Sequence, residues 1–502
     1  MSNLYTVFER RFPENRQQVF LTEQSGKQLS YAELEQRTAQ LANVFVELGL
    51  RPGDRLAVQL QKSASVLVIY LAALRAGIIY LPLNTSYTSR ELSYFLADAE
   101  PAMVIADPEL LSSLQSIVDD APASIQCHAV DAQGSGELMT RAKNASSQFE
   151  TLDCNTETVA AILYTSGTTG LPKGAMLSHG NLASNALVLH VMWGGRADDV
   201  LLHALPIFHV HGLFVAVHSV LMAGASMQFL ARFDEQAVIA CLPTCTVMMG
   251  VPTHYTRLLA CEGFNRDSCA AMRLFISGSA PMLSSTHQTF TDRIGQSILE
   301  RYGMTETAML VSNPLQGERR PGTVGFPLPE VSLRLVGDDQ QPVAIGEVGS
   351  IEVKGPNVFQ GYWRKPEKTA EDFTADGFFI TGDQGEFSAD GYLSIVGRSK
   401  DMIITGGLNV YPKEVEQVLN GLAGVNESAV FAVPDDDLGE AVMAAIVATG
   451  SCCLDSLLAQ AKQQLSGYKV PKRIQQVDLL PRNTMGKVQK NKLRQQYAAA
   501  MK

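Results

Sequence analysis

The run Tyr164-Thr165-Ser166-Gly167-Thr168-Thr169-Gly170-Leu171-Pro172-Lys173-Gly174 has the residue types of a polyphosphate cradle. Its glycines let successive amide N–H groups converge on one anion, the Thr and Ser hydroxyls add donors, and Lys173 adds charge. The Gly-Lys-Ser/Thr ending of the common P-loop is absent, so this is a cradle of another kind. By composition alone the run also fits a surface turn. Four further stretches carry related chemistry. In Glu300-Arg301-Tyr302-Gly303-Met304-Thr305-Glu306-Thr307, Glu306 offers a carboxylate for Mg²⁺ bridging phosphate oxygens, and the Thr305 hydroxyl beside it can reach an α-phosphate. Ser277-Gly278-Ser279-Ala280-Pro281 follows an apolar strand and forms a tight turn against which a flat base can lie. Asp383, in Ile380-Thr381-Gly382-Asp383, can accept both hydroxyls of a ribose. Lys487 places a cation on a flexible loop near the C-terminus. Taken singly, each has an ordinary reading: a helix cap, a turn residue, a solvated lysine. Their occurrence together and in this order is what gives them meaning.

These groups need a large scaffold, and 502 residues with a hydrophobic share of 46% supply one, with more than one domain expected. A net charge of -11 leaves no electrostatic footprint for nucleic acid or an anionic membrane. The longest apolar run near the start, 66–74, is far short of the roughly 20 residues that span a bilayer, so no stable membrane insertion is expected. The first residues lack the apolar segment of a signal peptide and carry acids that a transit peptide avoids. Eight cysteines without metal-site spacing fit a reduced, cytoplasmic protein.

Ser30 and Glu33 read as a capping box opening a helix that presents Leu34, Leu41, Phe45 and Leu48 on one face, with Gly49 closing it. A strand over 55–60, a helix over 63–76 and a strand over 78–81 form a βαβ unit, repeated by a helix over 90–97 and a strand over 103–106. Continuous apolar strands alternating with helices predict parallel sheets covered on both faces. The segment 107–158 is polar and weakly patterned and reads as a connection. Alternation resumes from 159 to 328, and 331–397 is strand-rich. Arg398-Ser399-Lys400-Asp401 interrupts the pattern with charge, and about a hundred residues with their own βα alternation follow. The expected organisation is therefore α/β: a large N-terminal domain (1–397) with αβα sheet layers and a β-rich part, a hinge (398–401), and a small α+β C-terminal domain (402–502).

With these motifs in one order, the chain resembles the adenylate-forming superfamily of acyl-CoA synthetases, adenylation domains and luciferases over essentially its whole length. Within it the chain is similar to malonyl-CoA synthetases. That likeness is carried by Tyr80-Leu81-Pro82-Leu83-Asn84, His203-Ala204-Leu205-Pro206-Ile207-Phe208-His209, Gly250-Val251-Pro252-Thr253, Gly406-Gly407-Leu408-Asn409-Val410-Tyr411-Pro412-Lys413-Glu414 and the stretch 481–490.

The resemblance implies ATP, Mg²⁺ and coenzyme A, and small-molecule partners only. Lys487 would bridge the acid carboxylate and the α-phosphate, and Glu306 with Thr165 would hold Mg²⁺. The phosphate loop (Thr165, Ser166, Gly167, Thr168, Thr169, Gly170, Lys173), the turn Gly278, Ser279, Ala280 and the stretch Arg301, Tyr302, Gly303, Met304, Thr305 would bind nucleotide, and Asp383 with Arg398 would hold the ribose. His209 would position the acid and gate CoA, whereas His211 reads as core packing. Lys400 occupies the hinge position, and Gly406 and Gly407 resemble the loop used for the thioester step. The stretch around Lys487 also resembles segments in which lysine acetylation silences synthetases.

A diacid such as malonate or methylmalonate brings a second carboxylate into the acyl pocket, where it needs a partner. Arg257, on a helix expected to start at the pocket wall, can give a bidentate fork. Ser279, Met309 and Val210 are the other expected acid-side residues, and Val210 stands where the family pattern often has a small polar residue. Two alternatives remain open at this level: a CoA ligase for another short- or medium-chain acid, and a nucleotide-binding homologue without catalysis.

Overall fold

The computed structural model describes residues 3–119, 125–165, 172–405, 408–435, 438–450, 453–484 and 486–497. Four sheets make up the fold. The first has six strands in the order Gln126–Ala129, Met103–Ala106, Arg55–Gln59, Ile79–Pro82, Val159–Thr165 and Lys173–Ser178. All its pairings are parallel except the last, which is an antiparallel hairpin. The second has nine strands. Its six-strand parallel centre runs from Leu299–Met304 through Leu274–Ser277, Val247–Gly250, Val200–His203 and Ser226–Phe229 to Val19–Glu23, with antiparallel strands at both edges. The Val/Ile/Leu-rich strands are buried on both faces because helices cover them, as their unbroken apolar runs require.

Helix Tyr31–Glu47 begins at the expected capping box: Glu33 N–H donates to Ser30 Oγ at 3.2 Å, and Ser30 N–H donates to a Glu33 carboxylate oxygen at 2.9 Å. Helix Ala64–Arg75 is buried along its whole length between neighbouring layers. The segment 107–158 corrects the sequence reading, since it holds helix Pro108–Asp119, strand Gln126–Ala129 and helix Glu137–Asn144. Helix Pro108–Asp119 does carry Leu110, Leu111, Leu114, Ile117 and Val118 at helical spacing, a signal overlooked in an otherwise polar segment, whereas the four-residue strand and eight-residue helix after it are too short to show a clear period.

The third sheet is antiparallel: Ser332–Val336, Gly349–Lys354, Phe379–Phe387 and Leu393–Arg398. A 3₁₀ turn, Ser399–Asp401, follows it directly. Beyond lies a five-stranded sheet built on the long pair Val425–Asp435 and Gly439–Ala448, packed by helices Pro412–Asn420, Leu454–Gln464 and Lys490–Tyr497. Its cores are separate clusters, one around Ile403, Val415, Val430 and Ile446 and one around Phe431, Met443 and Leu493. Among the described residues, no helix is long and apolar enough to cross a membrane.

Candidate active site

The carboxyl ends of adjacent parallel strands deliver His203, Gly250, Ser277 and the Arg301–Met304 segment to one edge of the nine-stranded sheet. That edge is where open α/β sheets bind ligands. Facing it, Thr165 and Lys173 are cross-strand partners at the end of the hairpin in the six-stranded sheet. Ser166, Gly167, Thr168, Thr169 and Gly170, between them, lie outside the described residues, as do Gly406 and Gly407. The hairpin stem is firmly held. Tyr164 Oη donates to an Asp98 carboxylate oxygen at 2.6 Å, Tyr94 Oη to the Pro172 carbonyl at 2.7 Å, and Lys173 Nζ lies 3.4 Å from Asp372 and 3.9 Å over the Tyr362 ring.

Glu306 is 6% exposed, and burial raises its carboxyl above the usual range. Thr165 and Tyr362 hydroxyls both donate to its Oε1, at 3.3 Å each. Among the described residues no group of three His, Cys, Asp or Glu could hold a metal by itself. A single buried carboxylate with hydroxyls beside a phosphate loop fits Mg²⁺, which takes few protein ligands and shares its shell with substrate phosphates. Tyr362 and Asp372 were not found from sequence, because their partners are 56 and 199 residues away.

Asp383 is buried, and Arg398 stands directly opposite it across an antiparallel pair. Arg398 Nε lies 3.0 Å from Asp383 Oδ1, and Tyr302 Oη donates to Oδ2 at 2.6 Å. Burial, with Asp383 beside it, holds the Tyr302 phenol well above its ordinary range, so it stays a donor. Thr305 sits half-buried in the turn after strand Leu299–Met304, which is a strand end and not a helix start.

Arg301 is the buried cation beside His209. Its guanidinium is 3% exposed, and Nε and one terminal nitrogen have no hydrogen-bond partner among the described residues. Arg75, another buried arginine, shows the contrast: Thr151, Tyr5, Thr38, the Glu35 carbonyl and the Phe149 carbonyl all accept from it. Around Arg301 are Tyr255, His209 and His211, and burial brings its own pKa down to about 9. A Cβ on Gly278 would stand 2.4 Å from the guanidinium carbon, so only glycine leaves it room. Burial and the Arg301 charge bring His209 to about 4, a neutral imidazole at physiological pH. Ser279 sits in the left-handed region at φ 69 and shares a 3.2 Å hydrogen bond with His211 Nδ1. His211 is buried, as expected of core packing, yet this bond ties it to the site. Val210 and Met309 are also buried, and the Met309 methyl packs against Gly303.

Arg257 requires a correction. Helix Pro252–Leu259 forms as expected, but the Arg257 side chain is 64% exposed and lies 3.8 Å from Glu235. Its position in the last turn turns it away from the wall that the first turn presents. The arginine that is enclosed is Arg301, 3% exposed and next to His209, which the sequence reading placed in the nucleotide stretch.

Lys487 comes from the C-terminal part of the chain. Its loop is closed by Lys487 N–H to Asn483 Oδ1 and Asn483 N–H to the Lys487 carbonyl, both 2.9 Å. Gly486, at φ +72, packs so closely on the large domain that a Cβ would meet Thr253 Oγ1 at 2.9 Å. Burial first, then Arg398, brings the Lys487 amine down to about 8, while Asp383 opposes the shift. The Lys487 amine is therefore within electrostatic reach of the Asp383–Arg398 pair in this arrangement. Lys400 is exposed in the 3₁₀ turn between the two parts of the chain.

A phosphate hairpin, a ribose-competent carboxylate and a lysine delivered from a second domain define an adenylate-forming enzyme. The chain belongs to the AMP-binding enzyme family: the family pattern matches residues 8–363, and that of the AMP-binding enzyme C-terminal domain matches 414–487. It is 36% identical to a feruloyl-CoA synthase of an Amycolatopsis species over 94% of each chain. It is 32% identical to the malonate–CoA ligase of Arabidopsis thaliana over 98% of this chain and 89% of that one. Among solved structures, ATP-bound MatB from Rhodopseudomonas palustris superimposes with a TM-score of 0.97 at 48% identity, covering all of both chains. More narrowly, the chain is an AMP-forming acid–CoA ligase.

Proposed function

We propose that the acid is malonate, with methylmalonate as a second member of the same class. The observation that carries this is the buried guanidinium of Arg301, enclosed beside His209 and lacking the acceptors that satisfy Arg75. A buried charge without a partner is costly, and a ligand's distal carboxylate supplies one. A monoacid would leave Arg301 unpaired. The similarity to a malonate–CoA ligase supports the same reading.

In this reading one malonate carboxylate oxygen attacks the α-phosphorus of ATP, pyrophosphate leaves, and malonyl-adenylate forms. Lys487 spans the two approaching anions, which must otherwise repel, while Asp383 and Arg398 hold the ribose. Mg²⁺ held by Glu306 and Thr165 would supply neutralising charge at the phosphates. The thiolate of CoA then attacks the acyl carbonyl, the carbon–oxygen bond to AMP breaks, and malonyl-CoA forms. Rotation about Lys400 withdraws Lys487 between the two half-reactions and brings in the loop carrying Gly406 and Gly407. His209, neutral and beside Arg301, orients the acid, and Val210 and Met309 set the space for an α-substituent.

The test is CoA-dependent AMP release with malonate, methylmalonate, acetate, octanoate and coumarate. Malonate turnover well above that of acetate is the expected result. A preference for acetate or a longer monoacid overturns the malonate assignment and leaves the ligase class intact.

A further inference from the structure

Lys62 is a lysine in the seam between the two large sheets, where its side chain meets an imidazole and a carbonyl. It follows strand Arg55–Gln59 of the six-stranded sheet and reaches across to the end of strand Val200–His203 in the nine-stranded one. There its Nζ lies 2.8 Å from His203 Nδ1 and 2.9 Å from the His203 carbonyl, and 4.3 Å over the Phe229 ring. Burial holds this amine well below the usual lysine range.

The other nitrogen of the same imidazole decides what this contact does. His203 Nε2 lies 2.9 Å from the Gly212 carbonyl, which can only accept, so Nε2 carries the hydrogen. His203 is buried and held neutral by burial and by the Lys62 charge, so its Nδ1 must be the lone-pair nitrogen. Lys62 donates to that lone pair. The lysine thereby selects the tautomer whose Nε2–H closes the loop from His203 to Gly212. That loop carries His209 and Val210. It folds back tightly enough that a Cβ on Gly212 would meet the Pro206 carbonyl at 2.0 Å, and it leads into a π-helical segment, His211–Val217. Wide π turns are held by their surroundings more than by their own ladder.

We propose that Lys62 is a positioning residue for the acid pocket: by fixing both the tautomer and the carbonyl of His203 it sets the loop that presents His209 and Val210 to the acid. This rests on the reading that the acid binds beside His209 and Arg301. It places no demand on the nucleotide half of the site, where Asp383 and Arg398 pair on the four-stranded sheet and Tyr302 reaches Asp383 from strand Leu299–Met304, none of them on the loop that follows His203.

The experiment is pyrophosphate exchange by the full-length enzyme carrying Lys62→Met or Lys62→Gln, with malonate and ATP varied separately and the melting temperature recorded. Lys62→Met is expected to raise the KM for malonate about 10- to 100-fold, as small misplacements in a site do, while the KM for ATP holds. Lys62→Gln keeps one donor for His203 and is expected to fall between parent and Lys62→Met. Equal changes in both KM values, or an unchanged malonate KM in folded Lys62→Met, overturns the inference. If the parent turns over a different acid and not malonate, the malonate reading fails. The same split, measured with the acid the parent does use, then decides the role of Lys62.

Discussion

Replacing Arg301 by methionine sets two outcomes against each other. In the free protein the guanidinium is enclosed, two of its nitrogens lack partners among the described residues, and burial brings it well below its ordinary range, to about 9. At 1.36 kcal/mol per pH unit, holding that charge costs the fold on the order of 5 kcal/mol. The cost is full below about pH 9 and fades as pH rises above it, because the folded value lies below the unfolded one. Methionine fills similar space without charge, and buried ions exchanged for apolar side chains commonly return about 1–4 kcal/mol. The variant should therefore melt higher than the parent at neutral pH. With malonate bound the balance reverses, since the distal carboxylate is left enclosed and unpaired. Removing one partner of a buried pair costs about 3–5 kcal/mol, roughly 150- to 5,000-fold in kcat/KM. Acetate, which lacks that carboxylate, should be turned over as well or better. The assay is AMP release with malonate and acetate in parent and variant, alongside thermal unfolding. A stabilised variant with an unchanged malonate-to-acetate ratio would show that Arg301 is merely an expensive core residue. A destabilised one would show that its charge is already compensated in the fold, and the reasoning fails.

Arg257→Ala should leave malonate kcat/KM within about twofold of the parent, as expected of an exposed ion pair; a tenfold loss would return Arg257 to the pocket. Gly278→Ala drives a methyl into the Arg301 guanidinium and should raise the malonate KM, but have little further effect on an Arg301→Met background. Additive effects in that double-mutant cycle would separate the two residues. Tyr302→Phe removes the 2.6 Å bond to Asp383 and should raise the KM for ATP about 2- to 12-fold, with the malonate KM steady. Lys487→Ala should abolish adenylate formation while thioester formation from supplied malonyl-adenylate persists. Because the Lys487 amine must be charged and is held near 8, kcat/KM for adenylation should fall as pH rises through about 8. That alkaline limb should be missing when supplied adenylate is the substrate, and its presence there would assign it to another group.

The architecture was legible wherever local pattern and global packing agree. The Ser30–Glu33 capping box and the buried helix Ala64–Arg75 both appear close to their expected bounds. In the segment 107–158 the helical repeat of Leu110, Leu114, Ile117 and Val118 was legible but overlooked, while strand Gln126–Ala129 and helix Glu137–Asn144 are too short to declare themselves. Within the site, residue order singled out Thr165, Glu306, Asp383, Arg398 and Lys487, but not the side chains that hold them in place. The register that sets Arg398 opposite Asp383 and the fold that brings Tyr362 to Glu306 are tertiary facts.

Arg301 and Arg257 show why residue type misleads when burial is unknown. Both are arginines beside segments that line the pocket, and a helix near the wall made Arg257 the natural donor. Strand Leu299–Met304, however, sends alternate side chains to opposite faces, and its burial runs unbroken through Leu299, Glu300 and Arg301. An arginine committed to such a strand cannot snorkel to water as one in the last turn of a helix can. The sequence signal was therefore present: a long cation two residues after Leu299 at the strand start, in a stretch read as nucleotide-binding. A buried strand keeps such a residue only against a steep desolvation cost, and on the proposed reading the anion that offsets it comes from the substrate.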